Sequence, residues 1–382
     1  LCLALKSDRN RPHLDKARQR WATFEDVQSL FTAIDIRLRS HHLELIEKEI
    51  ARPTPPDVKV SVIVCTYKRQ KSLLETLRSV AQQTMDKADY EVLVINNDPS
   101  DTQIAPLIEN LRLKEFSDHP RHIRLLLCPL LGLSHARNAG IAEANGEILL
   151  FLDDDAIADE HLVEHYWQAF STHPQAGVVG GHIHLNLPDS LPKAWSEGWR
   201  AYWSHFVTDY TDYTPVEHWG EYPWGANWCA RREALLRIGG FRGGYGRRGH
   251  DFSGGEEIVA ASLVRKLGYS IAILPQATVT HNIDADRFTL DHLKQTIRAG
   301  LFTQYQAQLE LRIPRETGLH SNITAMNTSL SKLFSLFQPQ TPDKKAKRLE
   351  TWYYFSARWR LFLRQLADFF KKMRTPVTSD KR

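Results

Sequence analysis

Residues 147–159, EILLFLDDDAIAD, set an uninterrupted apolar run directly against three consecutive carboxylates. Ile148 to Leu152 reads as a β-strand covered on both faces, because five apolar residues in a row leave no side for water. Asp153, Asp154 and Asp155 follow at its carboxyl end with no basic residue beside them in sequence. Three like charges at the mouth of a core strand repel one another and lose hydration, so a cation is needed to hold them. In an open α/β sheet, ligands bind beyond the carboxyl ends of the strands, which is where these acids fall.

The flanking sequence supplies such a sheet. VSVIV (60–64), YEVLVI (90–95) and HIRLLL (122–127) read as further strands. KSLLETLRSVAQQ (71–83) and LSHARNAGIAEANG (133–146) read as helices, the second stopped by Asn-Gly. Strands alternating with helices predict βαβ crossovers and a mostly parallel α/β sheet with helices on both faces. Ahead of it, Trp21, Phe24, Val27, Phe31, Ile34 and Leu38 step by three or four, predicting an amphipathic helix in an arm over 1–57. The prolines of RPTPPD (52–57) end that arm, which is read as a packing or oligomerisation surface, the oligomeric state being left open.

Composition narrows the class. The four cysteines are scattered with no CxxC spacing, which speaks against a zinc site or a disulfide framework and suits a reducing compartment. With no apolar run of about 18 residues and no signal-peptide pattern, the expected location is the cytoplasm, or the inner face of a membrane. The net charge of +4 is uneven: residues 341–382 hold twelve Lys/Arg against four Asp/Glu, so the remainder is net negative. A nucleic-acid groove is therefore not expected. Between 186 and 228 lie Trp195, Trp199, Trp203, Trp219, Trp224 and Trp228. They fit either a hydrophobic subdomain or a wall on which sugar rings stack.

A hard divalent ion answers the charge problem at 153–155. Mg²⁺ or Mn²⁺ takes carboxylate oxygens and keeps positions for substrate phosphates. A calcium loop of the EF-hand kind would need alternating acids, then Gly and a late Glu, and Ile157 and Ala158 spoil it. Alternation along an extended strand end predicts Asp153 and Asp155 as the metal pair, with Asp154 turned the other way. One acid could instead cap a following helix, but three exceed that need.

Five segments in order carry a family resemblance: VSVIVCTYKR (60–69), EVLVINNDPSD (91–101), GLSHARNAGIAEANGEILLFLDDD (132–155), PWGANWCARREALLRIGGF (223–241) and GGEEIVAASLVRKLGY (254–269). Together they resemble the inverting family 2 glycosyltransferases of the GT-A fold, a Rossmann-like architecture. The resemblance implies a catalytic domain over 58–300, with a donor half at 58–155 and an acceptor half at 156–300, followed by a basic helical region at 301–382. It implies that Thr66, Tyr67 and Arg69 hold the nucleotide of a nucleotide-sugar donor, with Arg137 and Asp154 on the same side. At the end of the second strand the family places an Asp that accepts the uracil N3–H; Asn96 stands there, and Asp98 is positioned to compensate. His281 matches a histidine brought to the metal or diphosphate. Trp224, Gly225, Asn227 and Trp228 fall on the acceptor side.

Glu256 and Glu257 match the family's acidic pair, from which the general base comes; alignment favours Glu257, with Glu256 the alternative. The implied reaction is metal-dependent transfer, from a UDP-sugar in the first instance, to a hydroxyl of a saccharide or lipid-linked acceptor in cell-surface polysaccharide or glycolipid synthesis. One displacement would invert the anomeric carbon. Two rivals share the fold: a sugar-phosphate nucleotidylyltransferase, which would want a Gly-rich loop where CTYKRQKS stands, and a non-catalytic scaffold, which would not need both acid clusters. In the tail, Trp352, Phe355, Trp359, Phe362, Leu366 and Phe369 form an aromatic stripe accompanied by Arg358, Arg360, Arg364, Lys371, Lys372 and Arg374. The stripe at 350–374 suits either packing within the protein or peripheral contact with an anionic membrane.

Overall fold

The computed structural model describes residues 58–98, 100–189, 191, 195–249, 251–311, 348–360 and 362–363. The arm expected at 1–57 and most of the region beyond 311 lie outside the described residues. The chain divides into two compact units. Among the described residues, the first comprises those up to Asn186 with Ser204–Asp251 and Gly255–Ile283; the second comprises those of Leu187–Trp203, of Phe252–Gly254 and from Asp284 on.

The first unit is built on one nine-stranded sheet. Its strands are β1 (Val60–Thr66), β2 (Tyr90–Asn96), β3 (Ile123–Leu127), β4 (Ile148–Asp153), β5 (Ala156–Ala158), β6 (Ala176–Leu185), β7 (Thr214–Val216), β8 (Asn227–Arg231) and β9 (Ser270–His281). The order is β3-β2-β1-β4-β8-β6-β9-β5, with β7 also on β9. Strands β3, β2, β1 and β4 run parallel, as the alternating pattern predicts. Strand β8 then enters antiparallel to both β4 and β6. The long stretch between β6 and β8 is not a βαβ crossover, so nothing forces β8 into the parallel sense.

Helices α1 (Gln70–Ala81), α2 (Ile104–Lys114), α3 (Leu133–Glu143), α4 (Leu162–Thr172), α5 (Arg232–Ile238) and α6 (Glu256–Lys266) cover the two faces. The pleat sorts the strand residues between them. Val60, Val62 and Val64 pack with Leu73, Leu77, Ile104 and Tyr166 from α1, α2 and α4. Ile63, Leu93 and Phe151 pack with Ala136, Leu235 and Ala261 from α3, α5 and α6. Successive side chains of a strand point to opposite faces, so a strand covered on both sides must be apolar at every position.

Two residues expected on the acceptor side belong to this core instead. Trp228 is fully buried between Phe151 and Phe241, at 5.6 and 5.4 Å between ring centroids. Asn227 is buried as well, and its side chain joins three elements: Nδ2 donates to the carbonyls of His182 (3.0 Å) and Ala277 (2.9 Å), while Oδ1 accepts from the Tyr166 hydroxyl (2.7 Å). An indole and an amide without exposed surface cannot meet an acceptor, and their spacing in β8 reflects the pleat.

The tryptophan-rich stretch is shared between the units: Trp195, Trp199 and Trp203 fall in the second, and Trp219, Trp224 and Trp228 in the first. Trp199 and Trp203 are buried; Trp203 stacks on Phe288 (5.3 Å) and donates from Nε1 to the Arg287 carbonyl (3.1 Å). The second unit also holds α7 (Leu290–Leu311) and a helix, α8, over 348–360. Among the described residues, no helix is long and apolar enough to cross a membrane. Because Trp228 fills the space between β4 and the α5 side of the sheet, replacing it with Ala should lower the unfolding free energy by about 3–5 kcal/mol, read from the urea midpoint. A loss below about 1 kcal/mol would place the indole outside the core.

Candidate functional site

The acids at the end of β4 do not continue as an extended strand. The chain turns at Asp154 and Asp155, and β5 then pairs antiparallel with β9, setting Ala156 opposite His281. That register fixes the site. The Asn282 amide donates to the Asp155 carbonyl (2.8 Å), and His281 Nε2 lies 2.7 Å from Asp155 Oδ1. Asp153, Asp155 and His281 each present a ligand atom, all within 4.8 Å of one another. The expected pairing of Asp153 with Asp155 is therefore present, but a turn and a strand register produce it, not simple alternation.

Asp154 faces another way. Its carboxylate accepts from the Thr66 hydroxyl (2.8 Å) at the end of β1 and from Arg69 Nη1 (3.0 Å). Arg69 also reaches Asp155 Oδ2 at 2.6 Å. The acids thus have a basic partner that sequence adjacency hides, because β1 and β4 are neighbours in the sheet and Arg69 stands just past the end of β1. Thr66, Arg69 and Asp154, expected on the donor nucleotide, here brace the acidic turn. Burial pushes the Asp154 carboxyl up to about 7; the Arg69 charge opposes that rise and the Asp155 carboxylate adds to it.

Arg137, on α3, is turned inward. It is 3% exposed, donates from Nη1 to Glu256 Oε1 (2.8 Å) and from Nη2 to the Gly225 carbonyl (2.9 Å), and lies 3.5 Å from Asp153 Oδ1. The guanidinium sits between the rings of Phe151 (5.8 Å) and Phe241 (5.3 Å). A Cβ at position 225 would lie 2.8 Å from Nη2, so Gly225 is what lets the backbone approach. Glu256 is buried as the first residue of α6. Its neighbour Glu257 is half-buried, and its carboxyl is pushed up to about 8 by burial and by the Glu256 charge, against the pull of Arg137. Around β4, then, two guanidiniums face five carboxyl groups.

Past β1, Tyr67 is exposed, with Lys68 Nζ 5.1 Å from its ring centroid. Lys68 itself has φ 60°, an uncommon conformation for a residue with a side chain. At the end of β2, the Asn96 amide closes its own loop: Oδ1 accepts from the Asp98 amide (2.9 Å) and Nδ2 donates to the Asp101 carbonyl (3.3 Å). The Asp98 carboxylate accepts from the Ser100 amide and hydroxyl (3.2 and 2.5 Å) and lies 3.7 Å from Lys68 Nζ. Asn97 went unremarked in the sequence. Its Nδ2 donates to the carbonyls of Cys128 and Leu130, both at 2.9 Å, and its Oδ1 accepts from the Gly132 amide (2.8 Å). It thereby sets the start of α3 and so the position of Arg137; the Asn-Asn-Asp-Pro run is turn-forming composition that carried this signal. Of the four expected acceptor residues, Trp224 and Gly225 keep partial exposure, with Trp224 packed on Phe206 at 5.3 Å.

Known proteins share parts of this sequence. The "Glycosyl transferase family 2" model matches residues 61–238. A "Glucosyl-dolichyl phosphate glucuronosyltransferase" of Haloferax volcanii is 26% identical over 241 residues, covering 62% of this chain and 73% of that protein. A "Succinoglycan biosynthesis protein ExoM" of Rhizobium meliloti is 29% identical over 246 residues, covering 63% of this chain and 72% of that protein. Among solved structures, a mannosyltransferase from Pyrobaculum calidifontis is 17% identical at a TM-score of 0.48, covering 87% of this chain and 98% of that one. With a parallel β3-β2-β1-β4 half, acids at the end of β4 and a matching sequence pattern over 61–238, the chain is similar over that stretch to glycosyl transferase family 2, which supports a transferase built on a GT-A sheet.

Proposed function

We propose that this protein transfers a sugar from a nucleotide-sugar donor to a hydroxyl of a saccharide or lipid-linked acceptor, with a divalent ion and with inversion at the anomeric carbon. The observation that carries the reading is the juxtaposition of Asp153, Asp155 and His281 within 4.8 Å, in the same unit as a raised carboxyl at Glu257. The relatives' names, one acting on a glucosyl-dolichyl phosphate and one in succinoglycan biosynthesis, support an acceptor in polysaccharide or glycolipid synthesis. A UDP-sugar is the first donor to test.

The donor set fits a divalent ion on its own chemistry. Two carboxylates suit Mg²⁺ or Mn²⁺, and the imidazole adds a nitrogen that Mn²⁺ accepts more readily. The surplus of carboxyl groups over guanidiniums around β4 favours a further positive charge. When bound there, such an ion neutralises the donor diphosphate as it becomes the leaving group. The chain's own part is positional. Arg69 and Thr66 hold the acidic turn through Asp154, and the β5–β9 register delivers His281. Glu256 is occupied by Arg137, so it anchors the start of α6; Glu257 remains to take the proton of the attacking hydroxyl. A base titrating near working pH combines a useful ionised fraction with real proton affinity.

Two experiments test this. Asp155→Ala should abolish transfer and also remove the Mn²⁺-dependent rise in melting temperature given by nucleotide, since the diphosphate loses its bridge. Unchanged Mn²⁺-dependent binding in that variant would refute the metal site. For the base, only the ionised carboxylate accepts a proton, so kcat/KM should climb with pH and level off above about 8. Stability runs the opposite way: a carboxyl whose folded pKa is raised contributes fully below its unfolded value near 4.5, and the contribution fades as pH rises through about 8. Glu257→Gln should keep donor affinity, lower turnover roughly 10²-fold and flatten the rising limb of the profile. If Glu256→Gln does this while Glu257→Gln does not, the roles within the pair are reversed.

A further inference from the structure

Among the described residues, the second unit engages one side of helix α8, and the other side carries exposed large apolar side chains. The inner face is fixed by Glu350, whose carboxylate accepts from Trp199 Nε1 (3.1 Å) and the Tyr202 hydroxyl (2.8 Å), and by Ala357, which is 3% exposed. On the opposite side Trp352, Trp359 and Leu363 are 51, 45 and 47% exposed. At 100° per residue these three fall within an arc of about 40°, roughly half a turn from Glu350 and Ala357. The face that anchors the helix is therefore not the face that carries its exposed indoles. Packing inside the unit accounts for the first and leaves the second unexplained.

Exposed large apolar side chains are scarce elsewhere among the described residues, and three of the eight fall within twelve positions here. Clusters of that kind mark interaction sites. The charge beside them says with what. Residues 348–360 contain Arg348, Arg358 and Arg360 and a single acid, Glu350, which is already engaged inside the unit. Over 341–382 the sequence carries twelve Lys/Arg against four Asp/Glu. Indole rings favour the interface between headgroups and acyl chains, and basic residues favour an anionic surface. A protein partner would need matching acids, whereas a lipid surface requires only apolar depth and negative charge.

We infer that the outer face of α8, formed by Trp352, Trp359 and Leu363 with Arg360 at its edge, docks on an anionic lipid surface. The helix lies in the interface plane with its indoles in the headgroup region. The inference does not depend on the metal or on the identity of the base, so it can fail while the proposed function stands.

The test uses the full chain with vesicles of phosphatidylcholine alone and of phosphatidylcholine mixed with phosphatidylglycerol. Co-sedimentation should occur with the anionic vesicles, weaken as salt is raised, and fall roughly tenfold or more in Trp352→Ser/Trp359→Ser. Circular dichroism and the melting temperature show whether that variant is folded; Arg360→Glu supplies an independent change at an exposed position and should weaken binding in the same direction. Equal binding to both vesicle types, or full retention of binding by the folded double variant, overturns the inference. So does a wild-type dimer in sedimentation velocity that becomes monomeric in the variant without vesicle binding, which would assign the face to a second copy of the chain.

Discussion

Like-charge repulsion at the end of β4 is the constraint around which the catalytic unit is arranged. Three carboxylates in sequence would lose both hydration and mutual separation if left at the mouth of a core strand. The fold responds by splitting them. Asp154 is drawn toward β1 by Thr66 and Arg69, and Asp155 is caught between Arg69 and His281. Asp153 faces Arg137 at the longer distance of 3.5 Å and remains the more accessible of the three. Each partner arrives from a different strand or helix, so the spacing of the acids depends on the sheet order itself.

Arg137 extends the same electrostatics to the far side of the site. A buried guanidinium paired with one buried carboxylate is costly to break, because removing either partner strands the other charge without solvent. Here the pair ties the start of α6 to the end of β4, and the aromatic rings of Phe151 and Phe241 exclude water around it. The acid at the end of β4 and the acid at the start of α6 are then held at a fixed separation by one side chain.

Much of this was legible in the sequence because parallel strands buried on both faces are written as unbroken apolar runs. The strands read at 60–64, 90–95 and 122–127 appear with boundaries moved by one or two residues. The acidic pair at 153 and 155 and the histidine at 281 also meet as expected. What escaped was direction and facing. Nothing in a run such as Asn227–Arg231 tells whether it enters parallel or antiparallel, or that its tryptophan points into the core. Arg69, which the resemblance places on the donor nucleotide, also meets Asp154 and Asp155, 85 and 86 residues away in sequence, because the β1–β4 pairing makes them neighbours. The amides of Asn96 and Asn97 are spent on loop carbonyls and amides, a local competition that residue type alone does not reveal.

The strands that receive β9 have a bearing on how a domain of this architecture can change. The stretch that carries the family pattern stops at residue 238, whereas Glu257 and His281 come after it, on α6 and at the tip of β9. The two parts of the chain meet along the long β6–β9 pairing, at β7–β9 and where β5 turns back to meet β9. Any exchange of the later segment must therefore keep the long β6–β9 register as well as the short β5–β9 one.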